Sequence, residues 1–151
     1  HKSGIPFTDP SGDRLRDWMG IGEAEFYNQN LVAILPMGFC FPGLDAHGGD
    51  LPPRRECAPL WRAEFMATFE NIKLVVAVGS YALKWHLGDN CGKNLSETIS
   101  CWRDHVARNP PLIALPHPSW RNNGWLKRHP VVEADIILEL RRRVGAILAK
   151  G

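Results

Sequence analysis

Three short apolar runs limit what this chain can fold into: "LVAILP" (31–36), "KLVVAV" (73–78) and "PLIALP" (111–116). Each is rich in Val, Ile and Leu, and none alternates with polar residues. A strand with one wet face alternates, whereas a strand covered on both faces does not. The pattern therefore predicts parallel strands buried between helices. The stretches between the runs carry helix signals. "SGDRLRDWMG" (11–20) opens on Ser11 as an N-cap and closes on Gly20. "CAPLWRAEFMATFEN" (57–71) sets Leu60, Phe65, Met66 and Phe69 near one face, which predicts a buried stripe. "SYALKWHLG" (80–88) runs from a serine cap to a glycine, and "LSETISCWRDHVA" (95–107) also has a serine at its cap. A last helix starts near Pro130, with Ile137, Leu140, Val144 and Ile147 at helical spacing. Strands alternating with helices predict a three-layer α/β/α domain around a doubly wound, mostly parallel sheet. A length of 151 residues fits one such domain, 1–151.

Folds of this class bind ligands at the carboxyl ends of their strands. The segments at those ends are "MGFCFPG", "GSYA" and "HPSWRNN". The third gathers the most chemistry. His117 lies between Pro116 and Pro118, which restrict the backbone and hold the imidazole in place. A histidine so placed can donate a hydrogen bond to developing negative charge or act as a general acid. Ser119, Asn122 and Asn123 add donors. An isolated histidine is more often a local cap, so the functional reading rests on this company. "FPGLDAHGGDLPPRREC" (41–57) is a long Gly/Pro-rich loop, a kind that is usually functional or mobile.

Charge is uneven along the chain. Residues 102–151 hold 9 Lys/Arg against 4 Asp/Glu, and residues 1–101 hold 9 against 12. A basic half suits an anionic partner such as nucleic acid, while the consecutive Arg141, Arg142 and Arg143 read equally well as a solvated helix face. No apolar run reaches the roughly 18 residues of a membrane span. Cys40, Cys57, Cys91 and Cys101 are too unevenly spaced for a secreted disulfide scaffold, so a cytoplasmic protein is expected; it is also expected to be a monomer. No Gly-x-Gly-x-x-Gly or phosphate-cradling loop occurs. The chain enters at His1 directly into the turn-rich "HKSGIPFTDPSG", which predicts that an upstream part belongs to the intact protein.

"HPSWRNNGW" resembles the second signature motif of the uracil-DNA glycosylase superfamily, and its His-Pro-Ser-x-Arg-Asn form is similar to the single-strand-selective branch. "SGIPFTDPSGDRLRDWMGI" resembles the segment after the first signature motif of the iron–sulfur family-4 branch. "MGFCFPG" and "REC" resemble the surroundings of that branch's two later cluster cysteines. The matches follow the family's order and span essentially the whole chain. The resemblance implies a DNA-repair enzyme that cleaves the N-glycosidic bond of uracil or a related deaminated base, in single-stranded DNA or a lesion-containing duplex. A non-catalytic DNA- or nucleobase-binding member of the same fold is the alternative, and an unrelated small-molecule enzyme a third.

By the same resemblance, Phe7 stacks on the extruded base and His117 supports the departing base anion. Ser119, Arg121, Asn122 and Asn123 grip DNA, with Asn122 also reaching the base. Cys40 and Cys57 match two of the four thiolate ligands of a [4Fe–4S] cluster. The other pair is an N-terminal Cys-x-x-Cys, which this sequence does not contain. A cluster is thus expected in the intact protein and not in this stretch by itself, with Cys91 and Cys101 as ordinary thiols. The first signature motif, its water-positioning carboxylate and its central strand are also absent from the sequence, so the domain is expected to lack its first strand. Pro36 stands four residues before Cys40, where the branch carries a base-reading asparagine. Base reading would then fall to Asn30, Asn122 or backbone groups. His47 lies in the loop where one superfamily member traps its product covalently, without that member's surrounding basic motif.

Overall fold

The computed structural model describes residues 4–150. Helix α1 (Pro10–Met19) is capped by Asp9 rather than Ser11: the Asp9 carboxylate accepts the Gly12 N–H at 3.2 Å, and Pro10 takes the first position, where its missing N–H costs nothing. It stops at Gly20, whose φ of +68° turns the chain left-handed so that its N–H returns to the last turn. Leu15, Trp18 and Met19 form its buried face. A single turn, α2 (Glu23–Phe26), follows and buries Phe26.

The first apolar run departs from expectation. Residues 31–36 form no strand, and Leu31 is exposed. The last two carbonyls of the run are taken by a side chain instead. Arg62 Nη1 donates to Leu35 O at 2.6 Å and to Pro36 O at 2.8 Å. Pro36 has no N–H to offer a ladder, so the end of the run cannot pair in the ordinary way. The helix expected over 57–71 is also different. A π-helical turn (Ala58–Arg62) leads into the short α3 (Ala63–Ala67). A π turn adds a residue per turn and rotates the expected apolar stripe off the core. Leu60 is 63% exposed, Phe65 is exposed too, and the side chain that goes inside is Arg62.

The second and third runs behave as expected. β1 (Val75–Val78) and β2 (Leu112–Leu115) pair in parallel, Val75 opposite Leu112 through Val78 opposite Leu115. All four β2 residues are buried, as a strand covered on both faces requires. Among the described residues the sheet has these two strands, with α4 (Gly79–Leu87) packed on β1 and β2, α5 (Leu95–Ser100) on β2, and α6 (Trp102–Val106) on β2. The single helix expected over 95–107 is therefore two, broken at Cys101. Its cap is Asn94, whose Oδ1 accepts the Glu97 N–H at 2.9 Å.

After β2 come α7 (Asn123–Arg128), a π-helical turn (Val132–Ile136) and α8 (Ile137–Leu148). Ile137, Leu140 and Val144 bury the inner face of α8, which packs on α1, while Ile147 is only half-buried. The arginine run is spent within the protein. Arg141 donates to Asp17 O on α1, and Arg142 and Arg143 both bind the Glu139 carboxylate. The helix-face interpretation of those charges is the one the contacts bear out. No described helix is long and apolar enough to cross a membrane. The fold is α/β.

Candidate functional site

The carboxyl ends of both strands open on one cavity of about 520 Å³. Its wall includes Val78 and Gly79 from the end of β1, His117 from just beyond β2, and Met37, Cys40 and Asp50 from the irregular 31–57 segment. Parallel pairing places Val78 beside Leu115, so the chain leaving each strand meets the other at the next step. Gly79 has φ +81°, a conformation that favours glycine, and a Cβ there would lie 3.6 Å from the His117 Cβ. A second cavity of about 320 Å³ lies near α4 and α5 and shares only Ser80 with the first.

His117 is held from its neighbours' side. Pro116 and Pro118 are fully buried, and the Asn122 side-chain amide donates to His117 O at 2.7 Å. His117 is exposed at the cavity mouth, yet the desolvation of its ring by the surrounding wall lowers the imidazole pKa, against the pull of the Asp9 and Asp50 carboxylates. A neutral ring results at neutral pH, which can still donate one N–H toward a growing negative charge.

Phe7 reaches the same place from the other end of the chain. Its ring lies nearly parallel to the His117 imidazole (27°, centroids 6.4 Å apart) and edge-on to Phe26. Its φ is +58°, a strained value for a residue with a side chain. The strain is held by clamps on its carbonyl, which accepts from Arg16 Nη1 at 3.1 Å and from the Tyr27 hydroxyl at 3.0 Å. Gly12 is the third clamp: a Cβ there would sit 1.8 Å from Phe7 O, so only glycine permits this path.

The remaining loop residues are ordered by local bonds. Ser119 Oγ accepts the Arg121 N–H at 3.3 Å, and Asn122 N donates to Ser119 O at 3.0 Å. Asn123 Oδ1 accepts from Arg14 Nη1 at 2.8 Å. Arg121 leaves the loop toward the 41–57 segment, where a Cβ on Gly49 would lie 3.0 Å from its Nη1 and where its charge lowers the Asp45 pKa in support of two backbone N–H donors. The following helix α7 is fixed to α5 by a closed set: Ser96 Oγ lies 2.8 Å from His129 Nε2, His129 Nδ1 lies 2.8 Å from Trp125 O, and Trp125 Nε1 donates to Ser96.

Asn122 is therefore engaged by the backbone of His117, and Asn30 sits in a turn closed by Asn28, away from the cavity lining. His47 is exposed and gives its backbone N–H to Asp45. Sequence inspection missed three contributors. Trp120 is 73% exposed at the tip of the loop, Gly12 carries the Phe7 path, and Arg62 holds the cavity's entry segment. A tryptophan between serine and arginine after a buried strand was a legible signal for the first; the other two act through backbone contacts that no pattern marks.

All four cysteines are unbridged; Cys40 is exposed at the cavity and Cys57 is buried. Among the described residues no group of three or more His, Cys, Asp and Glu side chains converges as a metal site. A four-iron cluster takes four thiolates. Cys40 and Cys57 are two, so the donor set present here does not fit such a cluster, and no chemical step is drawn through one.

The model of the uracil DNA glycosylase superfamily matches residues 1–141, nearly the full length. The chain belongs to the uracil DNA glycosylase superfamily.

Proposed function

We propose that this protein excises uracil or a related deaminated base from DNA, acting on a nucleotide turned out of the stack. The observation that carries the proposal is the meeting of His117 and Phe7, from opposite ends of the chain, beside one cavity at the strand ends. Stacking on an aromatic ring offsets part of the few kcal/mol that extrusion costs. When the C1′–N bond breaks, its electron pair goes to the base. A neutral imidazole N–H directed at a base oxygen binds that anion more tightly than the intact nucleotide, which lowers the barrier. The water that attacks C1′ needs a carboxylate, and Asp9 and Asp50 are the two whose charge reaches His117. Asp50 lines the cavity with His117, whereas Asp9 caps α1. Ser119, Arg121 and Asn123 would meet the DNA backbone, with Trp120 as a wedge against the neighbouring base.

The alternative, a non-catalytic binder of DNA or nucleobases, draws on Pro36, which has no side-chain donor and whose carbonyl is already occupied by Arg62. One experiment separates the two. Base release from a single-stranded oligonucleotide carrying one uracil is compared between the wild type and His117→Ala. On the proposed function the variant loses about 100-fold or more in release, the size seen when one transition-state donor is removed. Its DNA affinity stays within about twofold, since affinity rests mainly on phosphate contacts and His117 faces the base on this function. Binding without release by the wild type supports the non-catalytic reading, and equal losses of release and binding make His117 structural.

A further inference from the structure

Arg62 is a buried cation without a counter-ion. It is 5% exposed, and its guanidinium meets no carboxylate among the described residues. Both hydrogens of Nη1 are spent on Leu35 O and Pro36 O, Nη2 lies 2.9 Å from His86 Nε2, and Nε is buried with no partner. A buried cation is costly to maintain, and replacing it by an apolar side chain is often neutral or favourable for stability. Stability alone is thus a poor reason for it. What Arg62 does supply is a fixed course for the segment that enters the cavity. Met37 and Gly38 come directly after the two clamped carbonyls, and both line the cavity with His117. Their N–H groups take no protein acceptor among the described residues. The side chains named for base reading do not line the cavity: Asn122 donates to His117 O, Asn30 lies elsewhere, and Pro36 has no donor at all.

We infer that Arg62 is a specificity-positioning residue, holding Leu35–Gly38 so that the main-chain N–H groups of Met37 and Gly38 read the edge of the extruded base. This rests on the base-excision function proposed above. A main-chain N–H donates to a carbonyl oxygen and repels an exocyclic amino group. The wall therefore favours bases with oxygen on that edge and rejects cytosine and adenine, which would leave a buried donor unpaired.

The test is amide hydrogen exchange on the whole chain, with a single-stranded oligonucleotide carrying 2′-fluoro-2′-deoxyuridine, whose glycosidic bond resists cleavage. A matched oligonucleotide with 2′-deoxycytidine at that position is the control. The uridine oligonucleotide is expected to slow exchange at Met37 and Gly38 by about tenfold or more, and the control to leave them unchanged. In Arg62→Met this protection is lost while affinity for the oligonucleotide stays within about twofold, because phosphate contacts dominate affinity. Arg62→Lys keeps the charge and gives intermediate protection, which covers the case of a methionine variant that does not fold. Binding by the wild type without protection at these two amides overturns the inference and leaves base excision standing, as does protection that persists in Arg62→Met. Failure of the wild type to bind either oligonucleotide overturns both.

Discussion

"LVAILP" at 31–36 and "PLIALP" at 111–116 are similar in composition, and both end in Leu-Pro leading to the cavity, yet only the second contains a strand. The difference is what answers their backbones. Leu112–Leu115 lies beside Val75–Val78, and the two share a parallel ladder. The carbonyls at the end of 31–36 meet the guanidinium of Arg62 instead. An apolar run does not by itself secure even burial: Leu31, Ala33 and Pro36 are exposed and the rest of 31–36 is half-buried. Whether it becomes a strand depends on a partner strand's N–H and C=O groups, which lie elsewhere in the chain.

The sharpest way to break this comparison is to remove matched side chains. Leu115 is completely buried, and Leu31 is exposed. Leu115→Ala should cost about 3 kcal/mol, lowering Tm by roughly 6–12 °C in a domain of this size. Leu31→Ala should change stability by less than about 0.5 kcal/mol, as surface substitutions do. Denaturant unfolding of both variants checks this, and similar losses would mean that the first run is packed like a strand after all.

A second test detaches the first run while sparing the second. His86 accepts from Arg62 only when neutral, and burial together with the charges of Arg62 and Arg108 pushes its pKa down to about 4 from 6.5. The folded state therefore holds the neutral ring, and the unfolded state takes up a proton first. Stability from this source is full above pH 6.5, declines as pH falls toward 4, and is constant below. The loss should be on the order of 2 kcal/mol. Desolvation of the His117 ring acts in the same direction, weakened by that residue's exposure. Glu139, held down to about 2 by Arg142 and Arg143, contributes in a lower window, between its ordinary 4.5 and 2. Unfolding free energies of wild type and His86→Gln between pH 7 and 4 should converge as pH falls; a parallel pair of curves would remove His86 from the account.

The same contrast explains how much could be read in advance. The two strands, the α/β class and the histidine loop followed from local pattern, because burial on both faces and a strand-end loop leave traces in neighbouring residues. Phe7 was identified by resemblance, but its left-handed φ and its need for Gly12 were not, since both arise from a backbone crossing between separate segments. The stripe Leu60, Phe65, Met66 and Phe69 misled because a π turn breaks the 3.6-residue phase on which the expectation stood. Arg62 was invisible for the opposite reason: a charged residue in a helical pattern reads as surface, and its burial depends on carbonyls left unpaired some 26 residues earlier.

The smallest expected effect concerns the loops that the two runs deliver. Trp120 follows β2 and is 73% exposed, so it contributes little to the core. Phe39 follows the first run and already has a partner, lying nearly parallel to Phe65 with centroids 5.2 Å apart. Among the described residues Trp120 has only the Arg121 guanidinium over its ring, 5.8 Å from the centroid, whereas Phe39 must first give up a ring neighbour to stack on a base. Trp120→Ala should therefore weaken binding to single-stranded DNA about tenfold, within the range for one lost base–aromatic stack, and leave unfolding unchanged. Phe39→Ala should shift affinity by less than about twofold. Fluorescence anisotropy of a labelled oligonucleotide at fixed salt measures both, because phosphate contacts make affinity depend steeply on ionic strength. The reverse order would transfer the main DNA contact to the segment held by Arg62. The strand that is paired by a ladder would then serve to support the site, and the run that is not would carry it.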